Sequence, residues 1–272
     1  MKRSVALILA ALLVCPALAQ TAPDKAVPLD AAKLPGVVAP QEMRSTSAEP
    51  AAKTVLVAGA TGKTGQELVR ILLKHGHNVL AMSRSAGRIS DLGAGVQSAV
   101  ADVTDPASLP AVFKNIDVVI SAVGGRWPIG DNGFKSVDYE GNKNLIDAAK
   151  RAGVKRFLLI SAGSAGRDGF PFALPIAPYP WKARSEAHLR ASGLAYTILA
   201  AGGLVDGPSG GGIRLASRAD YKAASVNRAN VAEVAVACME NDFCLQKTIT
   251  IVNDDGLAPN MWRETLATLP KD

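Results

Sequence analysis

The chain has 272 residues, of which 48% are hydrophobic, 20% are charged and 5% are aromatic. This composition predicts a globular protein with one sizeable hydrophobic core and excludes a mainly disordered chain. The net charge is +6, with no run of Lys and Arg and no interleaving of basic with aromatic residues. It therefore indicates no nucleic-acid partner, and a small anionic ligand accounts for it equally well.

The first 19 residues have the pattern of a secretory signal peptide. Lys2 and Arg3 form a charged start, an apolar stretch covers 5–14, and small residues of a cleavage site follow at 17–19. We therefore expect a protein that is exported to the periplasm or secreted. Two alternatives stay open: an uncleaved signal would anchor the chain in a membrane, and a start at Met43 would leave it in the cytoplasm.

Residues 20–52 carry five prolines among alanines and small polar residues, and no apolar period occurs there. This segment is predicted to be a linker. The folded domain is expected to cover residues 53–272.

From residue 53 onward, short apolar runs alternate with helical patterns. The predicted strands are 54–58, 78–83, 96–101, 118–122, 156–161, 195–199 and 248–252. The predicted helices are 65–75, 137–152, 182–192 and 230–241. This alternation is typical of an α/β fold with a doubly wound parallel sheet covered on both faces. The less regular region after residue 200 would form a small C-terminal substrate region.

The segment VAGATGKTG (57–65), between the first strand and the first helix, fits two kinds of polyphosphate loop. Gly62-Lys63-Thr64 resembles the end of a triphosphate loop, but that loop needs a glycine at position 57, where a valine stands. Gly59, Gly62 and Gly65 instead match the spacing of a dinucleotide-binding turn. The sequence therefore favours a dinucleotide, with its pyrophosphate at the start of the helix.

The end of the second predicted strand distinguishes the two nicotinamide cofactors. An acidic residue there would bind a ribose hydroxyl, whereas an arginine would accept a 2′-phosphate. The chain has Arg84 and then Arg88, with no carboxylate before Asp91, and Lys63 adds a cation in the turn. NADP(H) is therefore favoured over NAD(H).

Four stretches resemble one protein family in order along the chain. They are VLVAGATGKTGQELVRILLKHGHNVLAMSR, VDYEGNKNLIDAAKRAGVKRFLLISAGSAG, KARSEAHLRASGLAYTIL and NRANVAEVAVACMEND, and the likeness as a whole covers nearly all of 53–254. They are similar to the atypical short-chain dehydrogenase/reductases. The subgroup is the NAD(P)H-binding one that includes flavin/biliverdin-type reductases and nitrogen-metabolite-repression regulators.

The resemblance implies a Rossmann-type fold and a role for each matching residue. The residues expected around the cofactor pyrophosphate are Gly59, Thr61, Gly62, Lys63, Thr64 and Gly65. Arg84 would take the 2′-phosphate, and Asp102 and Val103 would contact the adenine. The residues expected along the ribose and diphosphate are Ser121, Ala122, Val123 and Gly124. Ser161 and Lys182 would flank the nicotinamide ribose and are the candidate catalytic residues.

The chain also departs from the family pattern at two places. Many members of the wider superfamily use Tyr-x-x-x-Lys, but here Tyr179 and Lys182 are only three apart. Pro180 is expected to keep Tyr179 out of the helix. Relatives usually have Arg-Pro where this chain has Ala200-Ala201. These departures put the usual substrate chemistry in doubt.

Two functions therefore stay open. One is an NADP(H)-dependent oxidoreductase acting on a small carbonyl, quinone or flavin-like substrate. The other is a non-catalytic NADP(H)-binding sensor or an assembly or scaffold protein. The apolar segment FPFALPIAPYPW (170–181) would either wall a substrate pocket or contact a protein or a membrane.

The remaining cysteines and histidines carry less information. Cys238 and Cys244 are separated by five residues, so they would form either a disulfide in an oxidising compartment or two thiols near a helix end. The histidines at 75, 77 and 188 show no metal-binding spacing, and we expect no metal site.

Overall fold

The computed structural model describes residues 51–169 and 173–272. The predicted signal peptide and residues 20–50 of the predicted linker lie outside the described residues, as do residues 170–172 of the apolar segment. Within the described ranges, none of the helices combines the length and the hydrophobicity that crossing a bilayer requires.

The described residues contain ten β-strands. In chain order they are β1 Thr54–Ala58, β2 Asn78–Ser83, β3 Val96–Val100, β4 Val118–Ser121, β5 Arg156–Ala162, β6 Tyr196–Ala201, β7 Gly203–Val205, β8 Ile213–Ala216, β9 Ser225–Asn227 and β10 Lys247–Asn253. Eight of them form one sheet in the order β3-β2-β1-β4-β5-β6-β10-β8. β7 and β9 form a separate parallel pair.

The sheet confirms the predicted doubly wound fold. Its strands run parallel from β3 to β10, and the strand order reverses between β1 and β4. At such a reversal, the chain segments that follow the two neighbouring strands pass to opposite faces of the sheet. A crevice therefore opens at the carboxyl ends of these strands. The edge strand β8 differs from the prediction, because it pairs antiparallel with β10. Ile213 and Leu215 alternate as its buried residues. The strand was not predicted because it is only four residues long and directly follows a glycine-rich stretch.

Helices cover both faces of the sheet. They are α1 Lys63–Lys74, α2 Asn142–Arg151, α3 Tyr179–Ala191, α4 Arg228–Glu240 and α5 Trp262–Thr268. Successive strand residues point to opposite faces, so β1 contributes Val55 and Val57 to one core with α1 and α4. Leu56 and Ala58 of the same strand join the second core, with α2 and α3. Every central strand is therefore buried on both sides.

All four predicted helices start at other residues than predicted, α1 and α4 by only two residues and α2 and α3 by more. The chain forms a π-helical segment over Phe134–Gly141 before α2 begins. α3 begins at Tyr179, so the expectation that Pro180 excludes Tyr179 from the helix is wrong. Proline is tolerated in the first turn of a helix. The backbone amides there have no hydrogen-bond acceptor within the helix, so the missing N–H of proline costs no hydrogen bond.

The structure joins Cys238 and Cys244 in a disulfide, which decides between the two alternatives left by the sequence. Both cysteines are fully buried, one in α4 and one just before β10. Arg156 holds the same turn, since its Nη1 donates to the carbonyl oxygens of Cys238 at 3.0 Å and Met239 at 2.7 Å. The connection from α4 to β10 is thus fixed by one covalent and several polar contacts.

We expect this disulfide to form in the purified protein and to stabilise it. Alkylation of the denatured, unreduced chain should leave both cysteines unmodified, and prior reduction should expose both to the reagent. Reduction should lower the free energy of unfolding by about 2 kcal/mol, the loop-closure contribution expected for so short a loop. Peptide mass spectrometry and chemical denaturation check the two parts. Alkylation of either cysteine without reductant would contradict the disulfide.

Candidate functional site

A cleft of about 430 Å³ lies at the carboxyl ends of β1, β2, β3 and β4. Its lining comes from the turn after β1, the segments after β2 and β3, and the loop after β4. The lining residues are Gly59, Thr61, Gly62, Met82, Ser83, Arg84, Ser85, Arg88, Ala101, Asp102, Val103, Ala122, Val123, Gly124, Arg126, Asn132 and Val137. This is the edge of the sheet at which the crevice of a doubly wound fold binds its ligand.

The turn between β1 and α1 brings backbone amides to this cleft. Gly59 has φ +79°, a conformation that side chains disfavour, and it starts the tight turn. Gly65 packs against the same turn so closely that a Cβ there would lie 2.1 Å from the Gly59 carbonyl oxygen. Gly62 precedes the helix and has no side chain to cap it. The first amide hydrogens of α1 therefore remain available to an anion.

Basic side chains surround the part of the cleft next to β2 and β3. Arg84 and Arg88 follow β2, and Arg126 comes from the loop after β4. Among the described residues that line the cleft, Asp102 supplies the one carboxylate. Its Oδ1 already accepts hydrogen bonds from the Thr104 amide at 2.9 Å and the Thr104 hydroxyl at 2.8 Å. Three guanidinium groups thus line this part of the cleft, and its carboxylate is already engaged by Thr104.

A tight loop, residues 125–134, forms one wall of the cleft. Its ends are joined by hydrogen bonds from the Arg126 amide to the Asn132 carbonyl at 3.0 Å and from the Phe134 amide to the Trp127 carbonyl at 3.0 Å. The guanidinium of Arg84 donates to the Asn132 side-chain oxygen and so connects this loop with the end of β2. Arg126 and Asn132 line the cleft but are not among the predicted site residues, and the glycine-rich composition of the loop is the only signal for them in the sequence.

Most residues predicted to bind the cofactor meet in this cleft. They are Gly59, Thr61, Gly62, Arg84, Asp102, Val103, Ala122, Val123 and Gly124. Four others lie beside it. Lys63 points away and pairs with Asp206 at 2.5 Å, and this contact lowers the pKa of the Asp206 carboxyl. Thr64 and Gly65 are buried in the first turn of α1, and Ser121 is buried and donates to Asn142 at 2.6 Å.

The candidate catalytic residue Lys182 is held at the border of the cleft by a buried carboxylate. Its Nζ lies 2.7 Å from Oδ1 of Asp138, whose side chain is fully buried. The other oxygen of Asp138 accepts the Gly125 amide hydrogen at 2.8 Å, next to the lining residue Gly124. Asp138 thus fixes both the lysine and the backbone after β4. Asp138 is not among the residues predicted from the sequence.

The other candidate, Ser161, is buried at the end of β5. Its hydroxyl donates to Oε1 of Glu186 at 2.5 Å, and Arg218 Nη2 donates to the same oxygen at 2.7 Å. Burial raises the pKa of Glu186, while Arg218 and Ser161 act in the opposite direction. The Ser161 proton is therefore directed to Glu186. Across the described ranges, no group of three or more His, Cys, Asp or Glu side chains is arranged to hold a metal ion.

Comparison with known proteins identifies a family. A family model described as NAD(P)H-binding matches residues 59–242. An uncharacterized sugar epimerase of Bacillus subtilis, YhfK, is 32% identical over 205 residues, which cover 74% of this chain and 94% of that protein. The family model's match includes the glycine turn and all the residues that line the cleft.

Other relatives include reductases and an assembly factor. Sanguinarine reductase of Eschscholzia californica is 31% identical over 69% of this chain and 84% of that protein. The photosystem II assembly factor Ycf39 of Synechocystis is 31% identical over 73% of this chain and 62% of that protein. Among solved structures, the anaerobillin reductase ChuY of Escherichia coli is similar with a TM-score of 0.62 and 26% identity, covering 74% of this chain and 98% of that one.

We expect Gly65→Ala to disrupt both the fold and the cleft. The added Cβ would collide with the Gly59 backbone, so α1 would have to move from the turn. Overpacking of this kind costs about 1–3 kcal/mol of unfolding free energy, and NADP⁺ binding should be lost with it. Gly87→Ala is the control for stability, because a Cβ there meets nothing within 4 Å. Thermal unfolding and cofactor titration compare the two. Wild-type stability in Gly65→Ala would refute the close approach.

Proposed function

This chain belongs to the NAD(P)H-binding family, and from that premise we propose that it is an NADP(H)-dependent oxidoreductase. The substrate would be a small carbonyl, quinone or flavin-like molecule. One observation carries the proposal: the cleft combines an uncapped helix start with guanidinium groups at the end of β2, where a carboxylate would select NAD(H). The reductases among its relatives support the same class of reaction.

The bound cofactor would supply the hydride. The protein would bind and orient it. The turn at Gly59 and Gly62 and the first amides of α1 would hold the pyrophosphate. Arg84, with Arg88 and Arg126 nearby, would hold the 2′-phosphate through charge-assisted hydrogen bonds.

Lys182 would act on the other half of the cofactor. Its ammonium group is held by Asp138 beside the backbone of Gly124 and Gly125, so it has a fixed position and retains two further donor hydrogens. A lysine held in this way can donate to the hydroxyl groups of a ribose. Asp138 would therefore orient Lys182, and the two side chains would work as a unit.

A non-catalytic sensor or assembly protein is the second candidate. It is supported by the buried Ala200-Ala201, which leaves no charged side chain at the end of β6, and by the relative that is an assembly factor. Exposed apolar side chains near the site add to it, since Trp127 is 66% and Ile129 83% exposed. Tight NADPH binding without NADPH oxidation across quinones, flavins, biliverdin-type tetrapyrroles and carbonyl compounds would favour this candidate over the enzyme.

We further propose that the protein is exported. The signal-like residues 1–19 support export, and a disulfide is typical of oxidising compartments. Cell fractionation, with mass spectrometry of the amino terminus of the mature chain, tests this. An intact Met1 on a soluble cytoplasmic protein would overturn it.

Arg84→Ala should weaken the binding of NADPH more than the binding of NADH. The loss of a charge-assisted contact with phosphate costs about 1.5–3 kcal/mol, which corresponds to roughly a 10- to 150-fold increase in Kd. Lys63→Ala is the matched control, because it also removes one cation near the turn, but one that pairs with Asp206 outside the cleft. Fluorescence titration of each variant with NADPH and with NADH measures the four changes in Kd. Equal losses for NADPH and NADH in Arg84→Ala would show that Arg84 does not contact the 2′-phosphate.

A further inference from the structure

Residues 217–221, which follow β8, dock on the turn after β5. Arg218 makes the attachment: its Nη1 donates to the carbonyl oxygens of Ala162 at 3.0 Å, Gly163 at 3.1 Å and Ala165 at 2.9 Å. Its Nη2 donates to the buried Glu186 at 2.7 Å. The guanidinium thus fixes this segment at the carboxyl end of β5, beside Ser161.

Tyr221 is brought to the same place by this attachment. A Cβ on Gly163 would lie 2.2 Å from Cζ of the Tyr221 ring, so the ring rests directly on the glycine. Cζ carries the phenolic hydroxyl, which therefore lies over the end of β5. The ring is half-buried, and the hydroxyl forms no hydrogen bond with the described parts of the chain. A proton donor without a partner is placed at the edge of the sheet that binds ligands.

The position of Gly163 relates Tyr221 to the cofactor. β4 and β5 are parallel neighbours with Ser121, the last residue of β4, opposite Leu159, so the loop after β4 leaves the sheet beside the end of β5, which Gly163 follows directly. Adjacent strands are about 4.8 Å apart. The cleft over β1 to β4 has the features of an adenosine site, and a dinucleotide crosses the point where the strand order reverses. Its second nucleotide would extend over the ends of β4, β5 and β6, where Tyr221 lies.

We propose that Tyr221, rather than Ser161 or Lys182, is the proton donor of the reaction; this inference rests on the proposed function. The Ser161 proton is directed to Glu186, and the Lys182 ammonium is paired with Asp138. As the carbonyl carbon of the substrate accepts the hydride that NADPH supplies, Tyr221 Oη transfers its proton to the carbonyl oxygen. One C–H and one O–H bond would form on the substrate, while the hydride-donating C–H bond of NADPH and the O–H bond of Tyr221 would break. The C=O bond would become single, NADP⁺ would remain, and a proton from the solvent would restore the tyrosine.

The first test locates the tyrosine without measuring activity. The full chain is nitrated with tetranitromethane alone, with NADP⁺, or with adenosine 2′,5′-bisphosphate, which fills only the adenosine half. Peptide mass spectrometry follows each tyrosine. NADP⁺ should slow the nitration of Tyr221, because a ligand held in a pocket covers the side chains that line it. The bisphosphate should leave it unchanged. Equal nitration of Tyr221 under all three conditions would overturn the proposal.

The second test addresses the proton. With the carbonyl substrate that the wild-type enzyme reduces fastest, Tyr221→Phe should lower kcat about 100-fold, the contribution of a general acid. The Kd for NADP⁺ should stay within about threefold, because the ring remains. Tyr196→Phe is the matched control, since it removes a hydroxyl that donates to Asp272 at the amino end of β6, the edge of the sheet opposite the cleft, and it should keep the wild-type kcat.

The remaining outcomes separate the two proposals. A wild-type kcat in Tyr221→Phe would overturn the role of Tyr221. Tighter NADP⁺ binding in Tyr221→Ala would overturn it as well, because it would show that the ring occupies the space of the cofactor. No turnover by the wild-type protein on any substrate would overturn the oxidoreductase proposal and the proton transfer together. Protection of Tyr221 by NADP⁺ would in that case still place it at the nicotinamide end.

Discussion

The contact between Gly65 and the backbone of Gly59 is the constraint on which the rest of the site depends. Because neither residue has a side chain, the first turn of α1 lies directly on the turn after β1. The helix start is thereby aimed at the crevice where the strand order reverses. A side chain at position 65 would separate helix and sheet, and the amides that face the cleft would lose their common direction. The close approach of the two backbones thus presents backbone amide groups, rather than side chains, to an anion.

Two buried carboxylates organise the loops around this frame. Asp138 joins Lys182 to the loop after β4, and Glu186 joins Ser161 to Arg218. Burying a carboxylate is costly, and both are tolerated because cations and hydrogen-bond donors surround them. Removing either acid would leave a cation without its partner near the site. Because an unpaired buried carboxylate would be costly, each loop is held in the one position in which its carboxylate keeps its partners.

The two halves of the site come from different parts of the chain. The half that lines the cleft uses segments close in sequence to the glycine turn, with Arg84 and Asp102 at successive strand ends. The other half depends on α3 and on residues 217–221, which reach the end of β5 from beyond β8. The family match spans residues 59–242 and so includes the segments of both halves. In the second half this chain has Ala200-Ala201 at the end of β6, and Arg218 reaches the end of β5 from beyond β8.

The sequence by itself determined the alternating strands and helices, the glycine turn and the basic end of β2, because each is a local pattern with its own period or spacing. It could not determine which side chains meet. Lys63 lies in the turn by sequence, yet it pairs with Asp206, 143 residues away. Lys182 finds Asp138, and Tyr221 reaches Gly163, only because strand order brings distant loops to one edge of the sheet. Such partners are set by packing, and packing leaves no periodic mark in the sequence.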